Sequence, residues 1–369
     1  MQKLVQKNTE RIKLFQESIK SEHTKRAYLI YFKKYREYLG SKFNSLLQEE
    51  NPDPKKIEQS IIDYIILLKK TKSYAAIHNY VSAITAFYKI NDIMLNVNKI
   101  SRFMPEQRKS NKDRSYKHEE ILKLLEFADE RMRVVILLLA STGMRIGAIP
   151  SLRLSNLEKI EIEIETSIYK ITVYENDKEE YFTYCTPECS KAIDEYLGMR
   201  SRYGEKINNN NNTLLIREQF DIRDPFAISR PVKIISKTLE TKLVELAIRS
   251  GIRKKQILEE NEKYLGSSFR KDVALCHGFR KFFTTQLVNS KLNPEIREML
   301  LGHKIGLASC YYKPTEDDFL IEYQKAINNL TINEVNKLKM KVKKLEIEKS
   351  QLQQLANDVA ILKKKWRSR

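Results

Sequence analysis

The sequence predicts a mainly helical protein with a small antiparallel β-sheet: a helical front domain, a mixed α/β second domain and a C-terminal coiled-coil helix. Three observations carry that expectation. Apolar and aromatic residues recur at three-and-four spacing through most of the chain, which gathers them on one face of each helix. One stretch, residues 168–186, switches to β-branched and aromatic runs around a polar turn. From Thr331 onward prolines and glycines disappear and a seven-residue rhythm takes over.

In the front domain, residues 24–39 place Ala27, Tyr28, Tyr31, Tyr35 and Tyr38 on one helical face, and Gly40 follows as a stop. Residues 57–68 and 74–88 repeat the pattern, so three or four helices and no strand are expected over residues 9–100. Residues 105–116 (PEQRKSNKDRSY) are polar and aperiodic, the composition of a linker. They divide a front domain of residues 1–104 from a second domain of residues 117–330. That domain opens with helices at 118–128 and 132–141. Strands follow at 168–174 and 180–186 around Glu175-Asn176-Asp177-Lys178, and helices return from about Ser190. The asparagine run 208–212 reads as an exposed loop.

In the tail, residues 331–369, the rhythm is Val335, Leu338, Val342, Leu345, Leu352, Val359 and Trp366. Lys349, Ala356 and Lys363 interrupt the seam, so a weak or register-specific coiled coil is expected, with a lone basic helix as the alternative.

A chain of 369 residues with 41% hydrophobic and 9% aromatic residues can bury two cores, which excludes a disordered chain. The formal net charge of +19 implies a polyanionic partner, nucleic acid or an anionic membrane. The longest apolar run, residues 61–68, is broken by Asp63 and too short to span a bilayer, and residues 1–10 lack the apolar core of a signal peptide. A soluble, cytoplasmic, nucleoid-associated protein is expected. The charge is uneven: residues 1–110 carry 21 Lys and Arg against 11 acids, and residues 331–369 carry 11 against 4. The front domain and the tail are thus the expected electrostatic grips. Four cysteines form no disulfide framework, and Cys185 with Cys189 read as idle thiols.

Three short stretches carry chemistry. Arg145 follows a Thr142-Gly143 turn, His277-Gly278-Phe279-Arg280 is an HxxR at a helix start, and Leu301-Gly302-His303 is followed by Tyr311 and Tyr312. Asn293 and Pro294 cap a two-turn helix that Gly302 stops, leaving His303 just beyond its end. Each stretch alone is weak, but the chance of an arginine after a T-G turn, an HxxR, an LGH and a tyrosine nine residues on in this order is small. Guanidinium groups are planar, bidentate donors that stay charged, so Arg145 and Arg280 suit a phosphate on which negative charge develops. A tyrosine hydroxyl has a pKa near 10 and needs a base, for which His277 is chosen, with His303 donating to the phosphate. No ATP-binding GxxxxGK[ST] and no magnesium-site carboxylate cluster appears, so no nucleotide, metal or other cofactor is expected.

In these motifs the sequence resembles the tyrosine recombinases, the family of phage and archaeal integrases and Xer-type recombinases. The resemblance spans roughly residues 10–328, and the YYKPTEDD style is most like an archaeal integrase. Residues 24–39 and 80–88 (TKRAYLIYFKKYREYL and YVSAITAFY) are similar to its helical core-binding domain, and the second domain to its catalytic domain. The resemblance implies that Tyr312 is the nucleophile, nine residues after His303, with Arg145, His277, Arg280 and His303 around the scissile phosphate and Tyr311 as the rival. It also assigns protonation of the leaving 5′ oxygen to a lysine between the second and third strands, here Lys178, with Lys170 the poorer candidate. The family has an acidic residue three positions after its first arginine, and this chain has Ala148 there. The implied activity is site-specific recombination of duplex DNA through a 3′-phosphotyrosine, integrating or excising a mobile element, by a homo-tetramer on paired sites that is monomeric or dimeric off DNA. Xer-like dimer resolution, type IB relaxation of DNA, and an architectural DNA-binding protein with weakened catalysis are the alternatives.

Overall fold

The computed structural model describes residues 2–47, 52–107, 114–163, 166–208, 213–253, 273–306 and 311–367. Residues 108–113 of the expected linker and 209–212 of the asparagine run lie outside them. The chain separates into two compact units, described residues 2–107 and 114–367.

The first unit is helical throughout: α1 (Gln2–Ser18), α2 (Glu22–Leu39), α3 (Lys42–Leu46), α4 (Pro54–Lys69), α5 (Tyr74–Ile90) and α6 (Val97–Ser101). Its starts are written in side chains, because Ser21, Asp53, Ser73 and Asn96 each accept from a backbone N–H of the first turn they precede. Gly40 ends α2 with a positive φ of 55°. The tyrosine stripe of α2 divides: Tyr35 is fully buried and hydrogen-bonds Ser60 at 2.7 Å, whereas Tyr38 is largely exposed. Phe15, Phe32 and Phe87 meet at the centre, the last two with ring centroids 4.1 Å apart.

The second unit begins with α7 (His118–Glu126) and α8 (Glu130–Thr142). Every residue of α8 from Val134 onward is buried, so it is the unit's central rod. A three-stranded antiparallel sheet follows, β1 (Leu157–Glu163), β2 (Thr166–Val173) and β3 (Tyr181–Tyr184), in that spatial order. Strand β1 was not foreseen, although Ile160-Glu161-Ile162-Glu163 alternates apolar and polar residues as a half-buried strand does; its pairing with β2 carries a register shift between Glu161 and Glu163. Thr186 belongs to no strand but caps α9 (Pro187–Arg202). Then come α10 (Pro225–Ser229), α11 (Ser236–Arg249), α12 (His277–Asn289), α13 (Pro294–Leu300), α14 (Glu316–Leu330) and α15 (Glu334–Arg367). The tail is thus one helix of 34 residues. The seam side chains Lys363 and Trp366 lie outside the described residues. Among the described residues no helix is long and apolar enough to cross a membrane.

A buried charge cluster fastens the loop after α9. Arg200 and Arg217, both essentially inaccessible, converge on the Glu205 carboxylate, Arg200 through Nε at 3.0 Å and Arg217 through Nη1 at 2.7 Å. Arg200 also donates to the carbonyls of Leu214 and Leu215, both at 2.9 Å. Burial alone would raise the Glu205 pKa, but the two guanidinium groups outweigh it and hold the carboxyl below its usual value. Cys185 and Cys189 are buried thiols in the core.

Candidate active site

The site is built at the ends of three helices. At the C-terminus of α8, Gly143 takes a left-handed φ of 62°, and a Cβ there would stand 2.4 Å from Phe283 Cδ1. Only glycine permits this turn, which brings the chain out of the core and leaves Arg145 exposed two residues later. Ala148, in the 3₁₀ turn Ile146–Ser151, is fully buried among apolar side chains. A carboxylate at 148 would therefore be a buried charge, and among the described residues no ion pair engages Arg145.

Helix α12 starts on His277, which is exposed, and carries Arg280 one turn further in, where it is buried. The Arg280 guanidinium donates to the carbonyls of Gly143 at 2.8 Å and Leu301 at 2.7 Å, joining the ends of α8 and α13. Burial lowers its pKa; Tyr181 opposes that, and the like charge of Arg145 adds to it.

The end of α13 explains the LGH motif. Gly302 adopts φ 70° and its N–H bonds the Met299 carbonyl at 2.8 Å, while the His303 N–H returns to the Glu298 carbonyl at 2.9 Å. This is a Schellman closure, and it lays the imidazole beside the side chain five residues back. His303 Nδ1 lies 2.7 Å from Glu298 Oε2, and Nε2 lies 2.7 Å from an Arg280 Nη. A guanidinium can only donate, so Nε2 accepts and Nδ1 carries the proton to Glu298. Donation from His303 to a phosphate thus requires its contact with Arg280 to open. Burial raises the Glu298 pKa, but hydrogen bonds from His303 and Arg297 bring it below its ordinary value.

The β2–β3 hairpin closes the site. Arg145, Lys178, Tyr181, His303 and Lys304 line one cleft of about 930 Å³, together with Lys170 and Glu316. Lys170 is largely buried and held by Glu316 at 2.6 Å and Glu158 at 3.3 Å, whereas Lys178 sits exposed in the turn and, among the described residues, forms no ion pair. Tyr181, which sequence reasoning missed, stands opposite Val173 in the hairpin register with its ring flat on Gly302. A Cβ on Gly302 would be 2.5 Å from that ring. The Tyr181 hydroxyl is buried and makes no hydrogen bond of good geometry. Burial pushes its pKa up to about 12 against the pull of the nearby Arg280 and Arg145 charges.

The structure therefore brings Arg145, His303 and Lys178 to the cleft, with Arg280 bonded to His303 though not itself lining it, and leaves two expected residues apart. His277 does not line the cleft. Tyr312 is half-buried against the core, and Tyr311 is 90% exposed. Burial, then the negative charges of Asp318, Glu295 and Glu322, raise the Tyr312 pKa. Glu295 lies in the first turn of α13 and His303 follows the other end of that helix. Among the described residues no group of His, Cys, Asp and Glu is arranged to hold a metal ion.

The fold is similar to that of known recombinases. It matches XerH site-specific recombinase bound to difH substrate with a TM-score of 0.51 at 16% identity, covering 81% of this chain and 78% of that one. It matches a lambda integrase (75–356) dimer bound to a COC′ core site with a TM-score of 0.50 at 16% identity, covering 86% and 99%. No curated protein matches the sequence. Residues 114–316, which hold the arginine pair, the hairpin, the LGH closure and both adjacent tyrosines, match the phage integrase family. As that match takes in more than half of the chain, the protein belongs to the phage integrase family.

Proposed function

We propose that the protein is a site-specific DNA recombinase that cleaves and rejoins duplex DNA through a 3′-phosphotyrosine on Tyr312. One observation carries this reading: Arg145 lines the cleft and lies near enough to the buried Arg280 for their like charges to act on each other, and among the described residues neither forms an ion pair with a carboxylate. Their charges oppose each other until an anion arrives, and a phosphodiester is the anion that the family's chemistry supplies.

In the reaction the Tyr312 oxygen attacks phosphorus and the P–O5′ bond breaks. His277 takes the tyrosine proton and Lys178 gives one to the departing 5′ oxygen. The Tyr181 hydroxyl, which makes no hydrogen bond of good geometry in the free protein, donates to a nonbridging oxygen beside the arginines. The phosphotyrosine keeps the bond energy, so rejoining needs neither nucleotide nor metal. In the free protein burial and the nearby Asp318, Glu295 and Glu322 raise the Tyr312 pKa, and DNA must draw it toward the cleft. Four copies on paired sites complete an exchange that integrates or excises a mobile element.

The position of Tyr312 outside the cleft favours a second reading, a DNA-binding protein with weakened catalysis. A nicked half-site that releases the 5′ fragment on cleavage separates the two. Recombination predicts a covalent protein–DNA band on a denaturing gel with wild type and none with Tyr312→Phe; tight binding without a band on any cognate site supports the second reading.

A further inference from the structure

The tail helix carries a feature that DNA cleavage does not use. Val335, Leu338, Val342, Leu345, Leu352 and Val359 form its apolar seam, and each is between 43% and 67% exposed. Its base, by contrast, is fixed: Glu188 on α9 accepts from the backbone N–H of Ile332 at 2.8 Å and Asn333 at 3.2 Å and from Asn336 Nδ2 at 3.3 Å. Thr331 and Ile332 are buried, and Lys343 reaches Thr166 at 3.2 Å. An apolar stripe is thus presented on a helix that is firmly rooted in the second unit.

We propose that this helix pairs with the same helix of a second copy of the chain as a parallel, in-register, two-stranded coiled coil. The seam chemistry chooses the number of strands: Val335 and Val342 occupy one seam position and Leu338, Leu345 and Leu352 the other, and β-branched residues at the first with leucine at the second favour two parallel strands. The flanking charges choose the register. In a parallel pair a residue before the seam meets the one five positions on in the other strand, so Glu334 meets the partner's Lys339 and Lys341 meets the partner's Glu346. Both meetings are attractive, and both recur by symmetry. An antiparallel pair would put Lys341 out of reach of Glu346 and set the two rooted ends about 50 Å apart, the length of the helix.

Lys349 falls on the seam and faces its own copy, where two like charges weaken the pair while fixing its alignment. Association in free solution is therefore reversible, and becomes complete when two copies occupy neighbouring DNA arms, where tethering raises the effective concentration to roughly millimolar. The pairing does not depend on the recombination reading, because it is measured without cleavage.

Sedimentation equilibrium of the full chain tests it. Wild type should show a monomer–dimer equilibrium, and Leu345→Glu should raise the dissociation constant at least about tenfold. Lys341→Glu and Glu346→Lys should each weaken the dimer about two- to fivefold, and the double variant should return to within about twofold of wild type. Leu338→Cys should form a disulfide-linked dimer on oxidation that wild type does not form, since residue 338 meets itself only in the parallel register. Three results overturn the proposal: a wild-type chain that stays monomeric at about 100 μM with and without duplex DNA; a double variant no better than the single ones; or a Leu345→Glu variant that loses DNA affinity with self-association unchanged, which would make the helix a DNA contact.

Discussion

Arg280 donates to Nε2 of His303 at 2.7 Å while Nδ1 of the same ring meets Glu298 at 2.7 Å, so one imidazole bridges a buried guanidinium and a carboxylate. The bridge fixes the ring's tautomer and joins α12 to the end of α13. Glu298→Ala should free the imidazole and lower covalent-intermediate formation about 10- to 100-fold, the range for losing an orienting partner, with duplex affinity unchanged. Nitrogen-15 NMR of the free wild type should show the Nδ1–H tautomer at His303; the opposite tautomer would remove the basis of this relay.

Tyr181→Phe preserves the ring that covers Gly302 and deletes only the buried hydroxyl. If that hydroxyl meets the phosphate, cleavage should fall about tenfold, roughly one charge-assisted hydrogen bond, with the melting temperature unchanged. The defect should shrink on a methylphosphonate substrate, which lacks one acceptor oxygen. An equal defect on both substrates would reduce Tyr181 to a packing residue.

Gly143→Ala should be the most damaging small substitution near the site. Its backbone lies at φ 62°, and the added Cβ would press on Phe283 while the adjoining carbonyl anchors Arg280. A loss of about 2–4 kcal/mol in chemical denaturation is expected from strain and overpacking together. A loss under about 0.5 kcal/mol would mean that the turn relaxes freely.

The Glu205 cluster sets an acid limit on stability. Its folded pKa is depressed, so its contribution is fully present above the ordinary carboxylate value near 4.3 and is lost as pH falls through the lower folded value. Glu205→Gln should cost about 3–5 kcal/mol at pH 7, because Arg200 and Arg217 stay buried without a counter-charge. The gap between wild type and variant should narrow below about pH 4. A gap independent of pH down to 2 would contradict this assignment of the charge.

Much of the site was legible because its residues are tied to punctuation that glycine supplies. Gly143 and Gly302 mark helix ends, and Arg145 and His303 follow them within two residues. The mainly helical class with its small antiparallel sheet was also legible, from periodicity. Glu298 was not, because its tie to His303 depends on a Schellman closure that turns a separation of five residues into a contact. Tyr181 was hidden for a related reason: the β2–β3 register aims it at Gly302, 121 positions away in sequence. Strand β1 was legible in the alternation Ile160-Glu161-Ile162-Glu163 and was passed over, whereas the pairing of Arg200 and Arg217 with Glu205 has no periodic signature. Nor could spacing reveal that Tyr312, nine residues from His303, rests among acids near the other end of α13.

The central claim is that Tyr312 forms the covalent link. The most direct measurement is mass spectrometry of the peptide left attached to DNA after wild-type protein is trapped on a nicked half-site and digested with protease. The account predicts a nucleotide adduct on Tyr312. An adduct on Tyr311 or Tyr181 would contradict it.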